Sequence, residues 1–229
     1  MSTSLPPASR RLARIGTLLS TAAVALGAVA LSGCDDDATK PDLTPSPYLA
    51  ATSPENVIDN LVTAVELRDP EGYAALFDKD AFVFRLDPVD LQGDSNLPPF
   101  WNYDGEAAWS KNCFESTDVR RIELEWNKGP LQELDPENDP EDYSGQGVRK
   151  MLITGVHLEV DTNNPANPTD PVIFLVSGDR ATFYFKPDPN HLVGGQPTWK
   201  IVEWRDIRVE GRPLLVIENT FGSVKNLYR

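Results

Sequence analysis

The sequence predicts an α+β fold, with helices at the start of the domain packed on a curved antiparallel sheet made by the rest. Three observations predict it. Val57, Ile58, Leu61, Val62 and Val65 recur at helical spacing. Phe82, Phe84 and Leu86 alternate with Val83 and Arg85, and Ile122, Leu124 and Trp126 alternate with Arg121, Glu123 and Glu125, the two-residue period of a strand with one buried face. Runs rich in β-branched and aromatic residues follow at 149–160, 172–185 and 199–209. Helices segregated from strands along a chain give a layered α+β architecture.

Taken in order, residues 1–33 carry Arg10, Arg11 and Arg14, no acidic residue, and an apolar run from Ile15 to Ala30. A positive start, a short apolar stretch and small residues make a secretory signal peptide. The run falls short of the roughly 20 residues that span a bilayer as a helix. It ends in Leu31-Ser32-Gly33-Cys34, which resembles the bacterial lipobox. That resemblance implies cleavage before Cys34, acylation of Cys34 with palmitate-type chains, and a lipoprotein held at the membrane on the extracytoplasmic side, periplasmic or cell-surface. Two or more acyl chains anchor stably where one does not. Asp35, Asp36 and Asp37 follow as an acidic spacer, and the chain to residue 52, with Pro41, Pro45 and Pro47, reads as an extended tether.

The domain then runs from 53 to 229. Ser53-Pro54-Glu55 supplies an N-cap, a proline in the first turn and an acid near the helix start. Asp69-Pro70-Glu71 repeats that signal for a short second helix bearing Tyr73, Leu76 and Phe77. After the strand at 82–86, residues 87–100 read as loop. Asp104 is expected to cap a third helix bearing Ala107, Ala108 and Trp109. The strand at 119–126 leads into an acidic insert at 127–148. Strands at 149–160 and 172–185 follow. The second is interrupted at Ser177-Gly178-Asp179, which is either a hairpin turn or, the preferred reading, a bulge in one long bent strand. The last long strand, 199–209, has apolar residues on both faces. Leu214–Ile217 reads as a short strand and Phe221–Tyr228 as a turn or helix.

This order resembles the nuclear transport factor 2-like superfamily, the cone fold of ketosteroid isomerases and polyketide cyclases. The segments that carry the resemblance are Asn60-Leu61 to Leu67-Arg68-Asp69, Tyr73-Ala74-Ala75-Leu76-Phe77-Asp78, and Trp199-Lys200-Ile201-Val202-Glu203-Trp204-Arg205-Asp206, within residues 53–209. The resemblance implies a bent sheet wrapping a helix around a conical, mostly apolar pocket. The acidic insert and the C-terminal extension depart from the compact family pattern.

Charge and composition exclude several functions. The formal net charge is −14, and the leader's three arginines leave the rest at −17. Such a body is repelled by nucleic acid and by anionic lipid. With Cys34 acylated, Cys113 has no partner within the chain and reads as a small buried apolar side chain. Two histidines and one thiol, far apart, fit no zinc spacing. Asp135, Glu137, Asp139 and Glu141 fall at every second position as in a calcium loop, but Pro140 stands where such a loop needs glycine. No metal or cofactor is expected.

For chemistry, Asp206 and His157 are the candidates for a carboxylate–histidine base on the strands, although Asp206 sits between Arg205 and Arg208. Trp126, Tyr184, Trp199 and Trp204 are the candidate lining of an apolar ligand pocket. The first reading is a membrane-anchored envelope protein whose cone domain binds a small apolar ligand or an envelope protein without catalysis. The second is an isomerase-, dehydratase- or cyclase-type enzyme using Asp206 or His157. A homodimer through the open sheet face is the third.

Overall fold

Ser53 opens the first helix as its sequence predicts: its hydroxyl accepts the Asn56 N–H at 3.2 Å, and Pro54 occupies the first turn. The computed structural model describes residues 45–93, 98–164, 169, 172–209, 224–225 and 228; Cys34, the leader and Leu214–Ile217 lie outside them. Helix α1 (Pro54–Leu67) buries Val57, Ile58, Leu61 and Val65. It ends at Arg68, which adopts the left-handed conformation (φ 53°). That backbone costs a non-glycine residue about 1 kcal/mol. The Arg68 guanidinium offsets it by donating to Ser116 O (2.7 Å) and Val119 O (2.8 Å). Asp69 caps α2 (Pro70–Ala74), accepting the Gly72 N–H at 2.9 Å.

The expected tether is bound to the domain before residue 52. The Tyr48 hydroxyl donates to Asp69 at 2.5 Å, the Leu49 backbone exchanges hydrogen bonds with the Asn60 side chain, and Ala51 O accepts from Trp199 N. Nothing in the composition of 48–51 marks this, because the backbone makes most of the contacts.

After β1 (Val83–Arg85) the expected loop contains a short helix, α3 (Pro88–Gly93), and strand β2 (Phe100–Asn102). Helix α4 (Tyr103–Glu115) is capped by Asn102, whose side chain accepts the Gly105 N–H, and not by Asp104. Strands β3 (Val119–Gln132), β4 (Arg149–Thr162), β5 (Val172–Val193) and β6 (Gln196–Ile207) complete a six-stranded sheet of order β2-β1-β6-β5-β4-β3. The fold is α+β, with helices packed on this curved sheet. One detail departs from expectation: β1 runs parallel to β6, so the sheet is mixed. These strands are far apart in the chain, no hairpin fixes their relative direction, and side-chain periodicity is blind to it.

The break at 177–179 is a bulge: β5 continues through it, with Gly178 at φ 72° and a register shift against β4. Gly155, at φ 61°, lies within the facing irregularity on β4. Beyond its expected end, β5 runs on into a hairpin closed by Gly194-Gly195, both at positive φ, the backbone that a two-residue hairpin requires. The two-faced apolar pattern of β6 also has a cause. Phe183 pairs with Trp204 and Phe185 with Ile201, so three steps on β6 oppose two on β5. This irregularity leaves Ile201 and Trp204 together in the main core while Val202 belongs to a second cluster.

The second cluster lies on the sheet's other side. Val202, Tyr184 and Val148 pack there with Leu134 and Tyr143 of the acidic insert. Asp139 pins the insert down, accepting from Tyr184 (2.8 Å) and Lys150 (2.6 Å). Glu203, 1% exposed, accepts from Tyr143 (2.6 Å) and Arg85 (3.0 Å) and pairs with Arg205. The alternating carboxylates of the insert therefore serve in part to fasten it to the sheet. Among the described residues no helix is long and apolar enough to cross a membrane.

Candidate functional site

Three adjacent strands set one row of rings across the sheet. Trp101 on β2 is the register partner of Phe84 on β1, and Phe84 is the partner of Trp204 on β6. Phe84 stacks on Trp101 with centroids 4.3 Å apart and meets Trp204 edge-on at 5.3 Å. From the helical layer, α4 contributes Glu106 and Trp109, one helical turn apart, and α2 contributes Tyr73. All six side chains are buried.

Glu106 is the polar centre of this chamber. One oxygen accepts the Tyr73 hydroxyl at 2.5 Å, and the other accepts the Trp101 indole N–H at 2.7 Å. Its position in the first turn of α4 places the carboxylate at the positive end of that helix. The first oxygen also pairs with the ammonium of Lys225, which is only 1% exposed. The ammonium lies 3.7 Å from the ring centroid of Trp204, 4.1 Å from Phe84, 5.0 Å from Trp109 and 6.0 Å from Trp101. Ring faces attract a cation through their quadrupoles, and more strongly once water is removed. Burial pulls the Lys225 ammonium down to about 8, against the opposing pull of Glu106 and Asp206. Burial first, and then the Glu106 charge, pushes the Tyr73 hydroxyl well above its ordinary value. The arrangement can hold one cation in an aromatic box with a carboxylate floor.

The residues expected from sequence divide between the two sides of the sheet. Asp206 is 5% exposed and pairs with the core residue Ala181, so it faces the helices. His157 lies between the core residues Val156 and Leu158, faces the other way, and has Glu159 at 3.8 Å. The two are not brought together, and no carboxylate–histidine pair forms from them. Trp204 lines the chamber; Trp126 packs beside it, against Phe183 and Trp204. Trp199 is half-buried at the margin of the same core. Tyr184 is on the opposite face, under the insert, with Arg205 over its ring. Cys113 is fully buried among apolar side chains, and burial pushes its thiol up to about 12.

Sequence reasoning missed Glu106 and Lys225. Glu106 had a signal: Glu106, Trp109, Ser110 and Cys113 fall at helical spacing on one buried face, which puts a single carboxylate inside an apolar stripe. Lys225 follows one valine in a segment without periodicity and had none. Cavities elsewhere among the described residues include one of about 730 Å³ against the insert, with Glu133, Leu134, Asp139 and Tyr143 in its wall. Another, about 650 Å³, is lined by Asp78, Lys186, Lys200 and the hydrogen-bonded pair His191–Asp188 (2.6 Å).

No family model and no curated protein matches this chain. Solved structures do resemble it. A candidate aromatic ring hydroxylase from Novosphingobium aromaticivorans is 14% identical, with a TM-score of 0.47 over 71% of this chain and 90% of that one. A candidate scytalone dehydratase from the same species is 12% identical, with a TM-score of 0.44 over 73% and 90%. A nuclear transport factor 2-like protein of unknown function from Shewanella oneidensis is 10% identical, with a TM-score of 0.37 over 66% and 93%. The fold described above rests on strand order and helix placement, and these likenesses add no chemistry to it.

Proposed function

We propose that this chain is a lipid-anchored protein of the cell envelope whose α+β domain works by binding and not by catalysis. The observation that carries the binding reading is the state of Glu106: both of its oxygens are engaged, by Tyr73, Trp101 and Lys225. A general acid or base must present its proton site to a substrate. Here the buried carboxylate and the buried amine are occupied by each other. The competing reading, an isomerase-, dehydratase- or cyclase-type enzyme, has one support, the helix-facing position of buried Asp206; it requires a substrate to reach that carboxylate.

The anchor is supported by Leu31-Ser32-Gly33-Cys34 after an apolar run. Among the described residues, contacts with the domain begin at Tyr48, and the stretch from 35 to 47 would reach roughly 45 Å if fully extended. That length would hold an acidic body clear of the headgroups, on the extracytoplasmic side. Metabolic labelling with palmitate in a bacterial host, followed by membrane fractionation, tests it. The unaltered chain is expected to take up label and sediment with membranes, and Cys34→Ser to lose both properties. A Cys34→Ser chain that still sediments and is cleaved at the same bond would overturn the anchor.

A further inference from the structure

We propose that the aromatic chamber is a receptor for a primary alkylammonium group, and that Lys225 is its resident, intramolecular ligand. The proposal rests on the binding reading above and names the ligand class of that same site; it is independent of the lipid anchor. Four ring systems from β1, β2, β6 and α4 approach one ammonium within 6.0 Å. Ordinary core packing needs no cation among those rings. A lysine is among the side chains least often fully buried, and it stays so only when paired. Here the pairing carboxylate is itself buried and held by two donors besides the lysine. The rings and the carboxylate come from elements ordered by their own hydrogen bonds and register, so the box is built by the fold and the lysine enters it.

The chemistry of the box sets the class of guest. Ring faces favour any organic cation. The Glu106 carboxylate adds a charge-assisted hydrogen bond, which requires an N–H on the guest. A primary ammonium satisfies both. A tetraalkylammonium satisfies only the rings, and a neutral alcohol of the same shape has no charge to offer. A flexible apolar stem behind the nitrogen completes the match, since that is what Lys225 presents.

Cutting the resident ligand short frees the chamber for its missing piece. Lys225→Ala removes a propylammonium-sized fragment, so propylammonium is the probe. In the full chain, Lys225→Ala is expected to lower the melting temperature by roughly 10 °C. Propylammonium at about a hundred times its dissociation constant should restore roughly half of that, with one-to-one binding by calorimetry. Propanol at the same concentration should restore none. Adding Glu106→Gln to Lys225→Ala should weaken propylammonium at least about tenfold. Lys225→Met, which keeps the chamber filled with an uncharged stem, should bind no propylammonium. If Lys225→Ala does not accumulate as folded protein, refolding from urea with propylammonium or with propanol makes the same comparison, and a higher folded yield with the amine alone is expected. Equal effects of amine and alcohol, binding undiminished by Glu106→Gln, or binding to Lys225→Met would each overturn the proposal. Those outcomes remove the ligand class and leave the anchor reading to its own test with Cys34→Ser.

Discussion

A buried carboxylate and a buried amine that face each other, as Glu106 and Lys225 do, are a pair whose removal is asymmetric. Taking away one partner strands the other in a buried site, and such losses run at about 3–5 kcal/mol. Glu106→Gln is therefore expected to lower unfolding free energy by about that much, read from urea midpoints. The double change Glu106→Gln with Lys225→Met should recover part of the loss, because neither residue is then left charged. Additive losses would mean that the two side chains do not act as a pair. The residue scale is also where the sequence was hardest to read. Cys113 was legible as a buried apolar side chain because a lone thiol on an apolar helical face has few other uses. Glu106 was legible in principle, since its spacing to Trp109 and Cys113 is helical. Lys225 was not, because its role depends on strands and a helix far from it in the chain that no local pattern connects to it.

At the scale of elements, helix starts were the clearest features. Ser53 and Asp69 both cap where they were expected to, because capping is a local hydrogen bond between residues three apart. The start of α4 differs from expectation by two residues: Asn102 and Asp104 both carry capping side chains, and strand β2, short and without a periodic signal, decides between them. The bulge at Gly178 was visible as a glycine breaking a strand pattern; its counterpart at Gly155 gave no such break, although it is as constrained. A Cβ added at Gly155 would fall 2.7 Å from the Asn127 side-chain nitrogen, on a backbone at φ 61°. Gly155→Ala should therefore destabilise the sheet by about 1–2 kcal/mol through the backbone, with the Asn127 contact adding to that. An alanine at Gly194, also at positive φ but with nothing within 4 Å, gives the backbone penalty alone, so the difference between the two midpoints measures the contact. No difference would show that Asn127 moves aside freely.

For the whole molecule, the buried and partner-bound titratable groups set a characteristic pH profile. Lys225, drawn down to about 8 by burial, is neutral in the folded chain while still protonated in the unfolded one up to about its ordinary 10.5. Through that window the unfolded state binds more protons, so this group makes stability rise with pH. Tyr48, Tyr73, Tyr143 and Tyr184 act in the opposite sense, and so, from about pH 9, does Cys113, whose thiol burial raises to about 12. Burial, and then the carboxylates of Asp69, Glu106, Glu203 and Asp139 respectively, raise the tyrosines above 10. Folded tyrosines then keep protons that unfolded ones release, and stability falls as pH rises past 10. On the acid side, the Gly72 N–H and the Tyr48 hydroxyl hold Asp69 below its ordinary value, so its contribution disappears as pH falls through the carboxylate range. The urea midpoint is expected to hold or rise between pH 8 and about 9, to level off as Cys113 offsets Lys225, and to drop steeply above about 10.5. A decline that began at pH 8 would contradict a buried amine at Lys225. The layered α+β plan was legible from periodicity alone. The clamping of residues 48–51 and the cover that the acidic insert lays over Tyr184 and Val202 were not, since charge and proline content mark both stretches as solvent-facing.

Three of the chain's five tryptophans, Trp101, Trp109 and Trp204, stand around the one amine of Lys225. Indole emission responds to the field of a nearby ion, so the wavelength and yield of the protein's own ultraviolet fluorescence should report what sits at the centre of the ring. The chain thus carries a label-free optical gauge of its interior, readable in dilute solution.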